Sequence, residues 1–199
     1  HADGSDLDSH GDVLLLAGND ATIRAEVLAL SAAVGIGAAA GAGLSIGVSI
    51  AENLIGYAPG GAASPSRVEA TLNDSRVLAG GQLSLTATST QDIDAYIGAL
   101  SVAASAGGFG GIGLSGAGAS SSNRVSAHVK AAIDGTDPDS DGTGPLGILA
   151  DGIRVTASDL STIDAFTGSA SVAVGLGALG AAISVGVSLA QNEVHNSVT

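Results

Sequence analysis

The sequence predicts an all-β protein, either an elongated β-solenoid or a stacked β-sheet array, built from tandem repeats of about 70 residues. Three observations support this prediction. Small and larger apolar residues alternate with a period of two, similar segments recur at a fixed spacing, and the composition is unusual for a compact enzyme. The 199 residues include 31 glycines, two Tyr and two Phe, but no Cys, Met or Trp. The core must therefore be built from Val, Ile, Leu, Ala and backbone.

The alternation is clearest in "GLSIGVSIAEN", residues 43–53. The larger apolar side chains fall on one side, and Gly, Ala and Ser fall on the other. Successive side chains of a β-strand point to opposite faces, so this period indicates strands with Gly/Ala/Ser faces. The same alternation returns in "AISVGVSLA", residues 182–190.

The repeat is visible in three segments, "ATIRAEVLALSAAVGIG", "QDIDAYIGALSVAASAG" and "STIDAFTGSASVAVGLG". They begin at Ala21, Gln91 and Ser161, which are 70 residues apart. "SIGVSIAEN" also returns as "SVGVSLAQN" after a one-residue deletion. We expect the chain to be a segment of a longer protein, divided into the end of a preceding repeat (1–20), repeat 1 (21–90), repeat 2 (91–160) and a partial repeat 3 (161–199).

Within one repeat, the pattern predicts two long strands that meet at a glycine-rich turn or kink, "GAAAGAG" at residues 37–43. Three shorter strands follow at Val68–Leu72, Arg76–Leu78 and Leu83–Ala87. The segments "NDS" and "AGG" between them are typical of turns. The spacing leaves open whether the long strands pair in parallel between repeats or antiparallel as hairpins.

A membrane helix is the competing interpretation of the charge-free runs, because Val27–Ala51 exceeds the ~20 residues that a bilayer helix needs. The two-residue period is not helical, and the flanks lack the Lys/Arg bias and aromatic belts of membrane helices. The runs are therefore interpreted as strands.

The charge excludes some functions. Six basic and nineteen acidic residues give a net charge of −13. We expect no nucleic-acid partner, because phosphate binding requires clusters of Lys and Arg.

No motif marks a catalytic nucleophile, and the G-x-G-x-x-G at Gly108, Gly110 and Gly113 lies in a strand pattern rather than before a helix. The sequence therefore predicts a protein that is not an enzyme.

One acidic loop is a candidate metal site. Asp134, Asp137, Asp139 and Asp141 lie in "DGTDPDSDGTG", where alternating carboxylates before a glycine can converge on calcium. An EF-hand would need Glu where Ile148 stands, so the loop is not an EF-hand. The alternative is a solvated acidic loop, and the equivalent loop of the first repeat has no acid.

Asn53, Asn123 and Asn192 end the small-faced run in each copy. A side-chain amide there can bond the backbone at a turn or stack in a ladder between units. We therefore interpret these residues as structural.

The repeats contain the segments "IDAYIGALSVAASAGGFGGIG", "IDAFTGSASVAVGLG" and "GILADGIRVTAS" and the endings "SIAEN", "SSSN" and "SLAQN". These segments resemble the repeats of very large secreted bacterial surface proteins of the adhesin type. The resemblance implies a stacked β architecture, an extracellular or cell-surface location, and a mechanical or adhesive role. It carries no catalytic residues.

The leading hypothesis is a structural repeat segment of an extracellular filament, stalk or matrix protein that associates through stacked small-residue faces. Its partners would be neighbouring repeats and other copies of itself. A membrane-inserted β protein, as a barrel or a pore, is the alternative. It is less favoured, because it predicts polar lumen-facing residues where this sequence has Gly, Ala and Ser. A flat carbohydrate- or ice-binding face would need a regular Thr, Asn or aromatic array, which the copies lack.

Overall fold

A computed structural model of the chain describes residues 1–135 and 147–199, and within these ranges the fold is all-β. The described residues form twelve strands: β1 Ala2–Asp3, β2 Asp6–Ser9, β3 Val13–Gly37, β4 Ala40–Ile55, β5 Ser66–Asn73, β6 Arg76–Ala79, β7 Gln82–Gly107, β8 Gly110–Asp134, β9 Ile148–Leu149, β10 Gly152–Asp159, β11 Thr162–Leu176 and β12 Leu179–Val198. In these two ranges, no helix is long and apolar enough to cross a membrane.

The strands form three sheets, and all the strand pairings within them are parallel. Sheet 1 has the order β1-β5-β8-β12, and β4 also pairs with β8. Sheet 2 has the order β10-β7-β11, and β3 also pairs with β7. Sheet 3 is small and has the order β2-β6-β9. The structure thus gives the parallel alternative that the sequence left open.

The register follows the spacing of similar segments. Val13–Gly37 pairs residue for residue with Leu83–Gly107, so partners are 70 positions apart. Thr162–Leu176 pairs with Asp92–Ala106 at the same offset. On β12 the offset is 69, as for Asn192 with Asn123, which matches the one-residue deletion in the sequence. Identical or similar side chains therefore stand next to one another on neighbouring strands.

The long strands fold back where the glycine-rich centre was predicted, but the break is shorter than expected. Only Ala38 and Ala39 separate β3 from β4, and the strand resumes at Ala40. β3 and β4 then belong to different sheets that pack face to face. The predicted short strand Leu83–Ala87 is wrong in extent, because it continues without a break into the long strand β7. The alternation persists through the polar segment, and Ser89 and Gln91 point inward and are buried.

Two apolar clusters form the core. The first combines large aliphatic residues of the short strands β5 and β6 with those of the long strands β7 and β8. It includes Val68, Leu72, Val77, Leu83, Leu85 and Val129. The second lies further along the long strands and includes Ile93, Ala95, Ile97, Ala99, Ala117, Ala119 and Val125. Beyond it, towards the fold-back, the interior consists of Gly, Ala and Ser. The side chains thus become smaller as the two sheets approach the fold-back.

Candidate self-association site

The small inner faces bring sheets 1 and 2 into close backbone contact. A Cβ atom placed on Gly43 would lie 2.5 Å from the carbonyl oxygen of Ala104. The equivalent atom on Gly113 would lie 2.6 Å from the carbonyl oxygen of Val174. Both distances are shorter than any real Cβ contact, so these positions require glycine for steric reasons.

Serine hydroxyls cross this interior as a hydrogen-bonded chain. The Oγ atoms of Ser31 and Ser45 are 2.7 Å apart, and Ser101 Oγ donates to Ser45 Oγ at 2.8 Å. Ser115 Oγ donates to Ser101 Oγ at 2.9 Å, and Ser171 Oγ donates to Ser115 Oγ at 2.9 Å. Successive members belong alternately to sheet 2 and sheet 1, so the chain connects the two sheets while it passes from strand to strand.

The three asparagines form a ladder within sheet 1. Asn53 Nδ2 donates to Asn123 Oδ1 at 2.7 Å, and Asn123 Nδ2 donates to Asn192 Oδ1 at 2.8 Å. All three lie within strands rather than at turns, which decides between the two roles that the sequence allowed. The ladder has a direction, because it begins with the acceptor Asn53 Oδ1 and ends with the donor Asn192 Nδ2.

Charged pairs continue this strand-to-strand contact at the surface. Arg124 Nε lies 2.7 Å from Glu193 Oε2, and the guanidinium stands 4.7 Å from the centre of the Tyr57 ring. The hydrogen bond between Arg124 and Glu193 lowers the pKa of Glu193 below its usual 4.5 and raises the pKa of Arg124. Arg24 and Asp94 form a more exposed pair at 3.4 Å.

The Tyr96 and Phe166 rings stack beside the exposed pair. Their centroids are 5.1 Å apart and their planes differ by 12°. These rings stand on paired positions of β7 and β11. Stacking of aromatic rings adds to the backbone pairing of these strands.

Each long sheet has an open edge at both ends. In the described ranges, no strand is hydrogen-bonded to the outer edges of β3 and β4 at one end of the molecule. The same holds for the outer edges of β11 and β12 at the other end. A strand edge presents unpaired N–H and C=O groups that can pair with another strand. The acceptor end of the asparagine ladder lies at the first edge and the donor end at the second. Chemically, these ends are suited to bind one another.

The outer surfaces of the two long sheets carry the large aliphatic side chains. We define face 1 as the outer face of sheet 1, with Leu44, Ile46, Val48, Ile50, Ile112, Leu114, Ile183, Val185, Val187 and Leu189. Face 2 is the outer face of sheet 2, with Leu28, Leu30, Val34, Ile36, Leu100, Val102, Val172, Val174 and Leu176. The alternation in the sequence shows two different faces but does not reveal which one is buried.

The predicted metal residues are only partly described. Asp134 is the exposed last residue of β8, and its carbonyl oxygen accepts a hydrogen bond from the Asp74 N–H at 3.0 Å. Asp137, Asp139 and Asp141 lie in 136–146, outside the described residues. Within 1–135 and 147–199, no group of three or more His, Cys, Asp or Glu side chains is arranged to hold a metal ion. The calcium site stays a prediction.

The serine chain was not predicted from the sequence, although its signal is present. Ser31, Ser101 and Ser171 match at a spacing of 70, and Ser45 and Ser115 do the same. Hydroxyl groups at matching positions on both small faces indicate a polar contact between the sheets. Whether these two sets of serines face one another across the interior depends on the length of the fold-back. The alternation in the sequence does not specify that length.

Comparisons with protein-family models, with curated proteins and with solved structures found no match to this chain.

Proposed function

We propose that the chain is a non-catalytic structural repeat segment of an extracellular filament, stalk or matrix protein of the adhesin type. In this proposal the chain is a β-solenoid-like array of 70-residue units, each contributing one layer of strands to each long sheet. The observation that carries the proposal is the parallel pairing of like residues at offsets of 70 and 69. Such a unit can be added indefinitely, because each new unit presents the edge that the previous one presented.

The partner of each open edge is then another unit of the same kind, in the same chain or in a second copy. β11 would receive the equivalent of β3, since these two strands occupy equivalent positions on either side of β7. β12 would receive the equivalent of β4 in the same way. The amide donor of Asn192 would meet the acceptor of Asn53 from the next unit. A contact between two different edges is heterologous, so it extends the array instead of closing it.

The experiment is negative-stain electron microscopy of detergent-free protein at high concentration. Wild-type protein should form long rods or filaments. Asn192→Asp replaces the terminal amide donor by a carboxylate that would face the Asn53 oxygen, so we expect short particles. An unsatisfied or repelled buried group costs about 1–3 kcal/mol or more, which is at least a fivefold loss of association.

Gln191→Glu is the matched control. It makes the same amide-to-carboxylate change one residue away, on the outward side of β12. Filaments from this variant and none from Asn192→Asp would support the proposal. Dispersed wild-type particles that need detergent to stay in solution would contradict it and favour the membrane-inserted alternative.

A further inference from the structure

Four buried side-chain oxygens between sheets 1 and 2 have no hydrogen-bond partner. They are Ser89 Oγ and Gln91 Oε1 on β7, Asp159 Oδ2 at the end of β10, and Ser161 Oγ just before β11. In the two described ranges only one other buried side-chain nitrogen or oxygen lacks a partner, Arg76 Nε. Because buried polar atoms are nearly always hydrogen-bonded, four exceptions at one place indicate a bound ligand.

The four residues are neighbours on the inner face of sheet 2, and we call them the oxygen patch. Ser89 pairs with Asp159 at an offset of 70. β11 pairs with β7 at the same offset, so Ser161 stands next to Gln91. Neighbouring strands are about 4.8 Å apart, and alternate residues of one strand are about 6.6 Å apart. The centre of this rectangle is therefore about 4 Å from each α-carbon, within reach of the side-chain oxygens.

Apolar side chains enclose the oxygen patch along the strands. On both strands an inward alanine precedes the patch and an inward isoleucine follows it, and these residues belong to the two apolar clusters: Ala87, Ala157, Ile93 and Ile163. Ser89 and Gln91 are 0% exposed. The unpartnered atoms of Asp159 and Ser161 are also shielded from solvent. Bulk water therefore does not solvate the four oxygens.

The hydrogen bonds of Ser66 fix which end of Gln91 faces the patch. Ser66 Oγ donates to the carbonyl oxygen of Ser126 at 3.2 Å. Since its hydroxyl hydrogen is used there, Ser66 can only accept from Gln91, and the amide nitrogen of Gln91 is the atom that contacts it. The Oε1 atom of Gln91 is the end that remains for the patch.

Asn196 on β12 fixes Asp159 in the same way. Asn196 Oδ1 accepts from the Ala127 N–H at 2.9 Å, so its amide nitrogen faces Asp159 and donates to Oδ1 at 2.6 Å. The N–H of Ser161 donates to the same oxygen at 3.1 Å. Two donors thus hold Oδ1 of Asp159, whereas Oδ2 has none.

The oxygen patch therefore carries a carboxylate charge without a counter-charge. Among the described residues, Asp159 forms no ion pair. Charge that is removed from water without a compensating partner is costly. A water molecule could bond all four oxygens, but it would leave the charge in place. A cation would bind the oxygens and balance the charge as well.

We propose that the oxygen patch binds a hard monovalent cation, sodium or potassium, through its four side-chain oxygens. Hard cations take oxygen ligands, and one carboxylate balances one positive charge. A calcium ion takes about six to eight oxygens and would leave a net charge inside the protein. This inference does not rest on the proposed function, because all four ligands come from one chain.

The site forms on only one side of β7. On the other side, β3 places Asn19 beside Ser89 and Ala21 beside Gln91. The Ala21 side chain offers no oxygen, so the four-oxygen arrangement is not repeated there. We therefore expect one cation at this patch in each chain.

Thermal unfolding of the full chain in different chloride salts tests the site. Sodium, potassium or choline is the only added cation, at one ionic strength, so that screening of the net charge of −13 is constant. A ligand that binds only the folded state stabilises it, so the melting temperature should be higher in sodium or potassium than in choline. The unfolding constant should fall by up to about tenfold for each tenfold rise in the bound cation. The salt with the larger effect identifies the ligand.

Two substitutions in the patch should remove or weaken this dependence. Asp159→Asn removes the charge but keeps an oxygen that can accept from Asn196, so it should melt at the same temperature in all three salts. Ser161→Ala removes one ligand and should raise the half-saturating cation concentration by about tenfold or more, since a contact to a charged group is lost. Asp164→Asn is the matched control. It makes the same change on the outer face of sheet 2 and should keep the difference between salts.

Sodium NMR gives a direct readout of binding. Wild-type protein and Asp164→Asn should broaden the sodium resonance, Asp159→Asn should not, and potassium should compete with the broadening. Equal melting temperatures of the wild type in sodium, potassium and choline would overturn the proposal and assign a bound water to the patch. A difference between salts that survives in Asp159→Asn would place the cation elsewhere and would also overturn it.

Discussion

At the scale of single residues, the glycines of β8 divide into two kinds that the sequence does not distinguish. Gly113→Ala places a Cβ 2.6 Å from a backbone oxygen of β11, so the sheets must separate. We expect a loss of about 1–3 kcal/mol in the free energy of unfolding, as for other overpacked sites. Gly118→Ala on the outer face should be neutral or stabilising by up to about 1 kcal/mol.

Thermal and denaturant unfolding followed by circular dichroism measures both variants. The two substitutions are chemically identical and five residues apart on one strand, so each serves as the control for the other. Equal effects would mean that the inner faces are not in close contact. The spacing of small residues predicts a tight interior. The sequence does not show which glycines create it, because that depends on which surfaces of the two sheets face one another.

At the scale of strands and sheets, the two-residue alternation was sufficient to predict the long strands and the place where they fold back. The end of one predicted strand, Ala87, was wrong because Thr, Ser and Gln continue the alternation beyond it. Ser89 and Gln91 are at inward positions of this continued strand, and the structure buries both between the two apolar clusters. Parallel pairing was not predictable, since the local pattern is the same for hairpins and for stacked units.

The serine chain gives a prediction that belongs to this scale, because it couples the two long sheets. Ser101 lies at its centre and bonds Ser45 on one side and Ser115 on the other. Ser101→Ala leaves these two buried hydroxyls without that partner, so we expect a loss of about 1–3 kcal/mol. Amide hydrogen exchange should accelerate in β4 and β8 as well as in β7.

Ser84→Ala is the matched control, since Ser84 is on β7 but points outward. Its unfolding free energy and exchange rates should stay close to those of the wild type. Faster exchange confined to β7 after Ser101→Ala would show that the hydroxyl chain does not couple the sheets.

At the scale of the whole molecule, the net charge of −13 opposes every contact between copies. Raising the ionic strength from 10 to 150 mM shortens the Debye length from about 30 to about 8 Å. We therefore expect longer rods in light scattering and electron microscopy as sodium chloride is added.

Calcium should act beyond this general screening if Asp134, Asp137, Asp139 and Asp141 bind it. Adding 1 mM calcium chloride to protein in 150 mM sodium chloride changes the Debye length very little. A rise in melting temperature under these conditions, reversed by EDTA and not reproduced by magnesium, would identify a specific site. Asp139→Asn with Asp141→Asn should remove the calcium effect and leave the sodium effect unchanged. Equal responses to calcium in the wild type and in this variant would assign the loop to the solvated acidic surface.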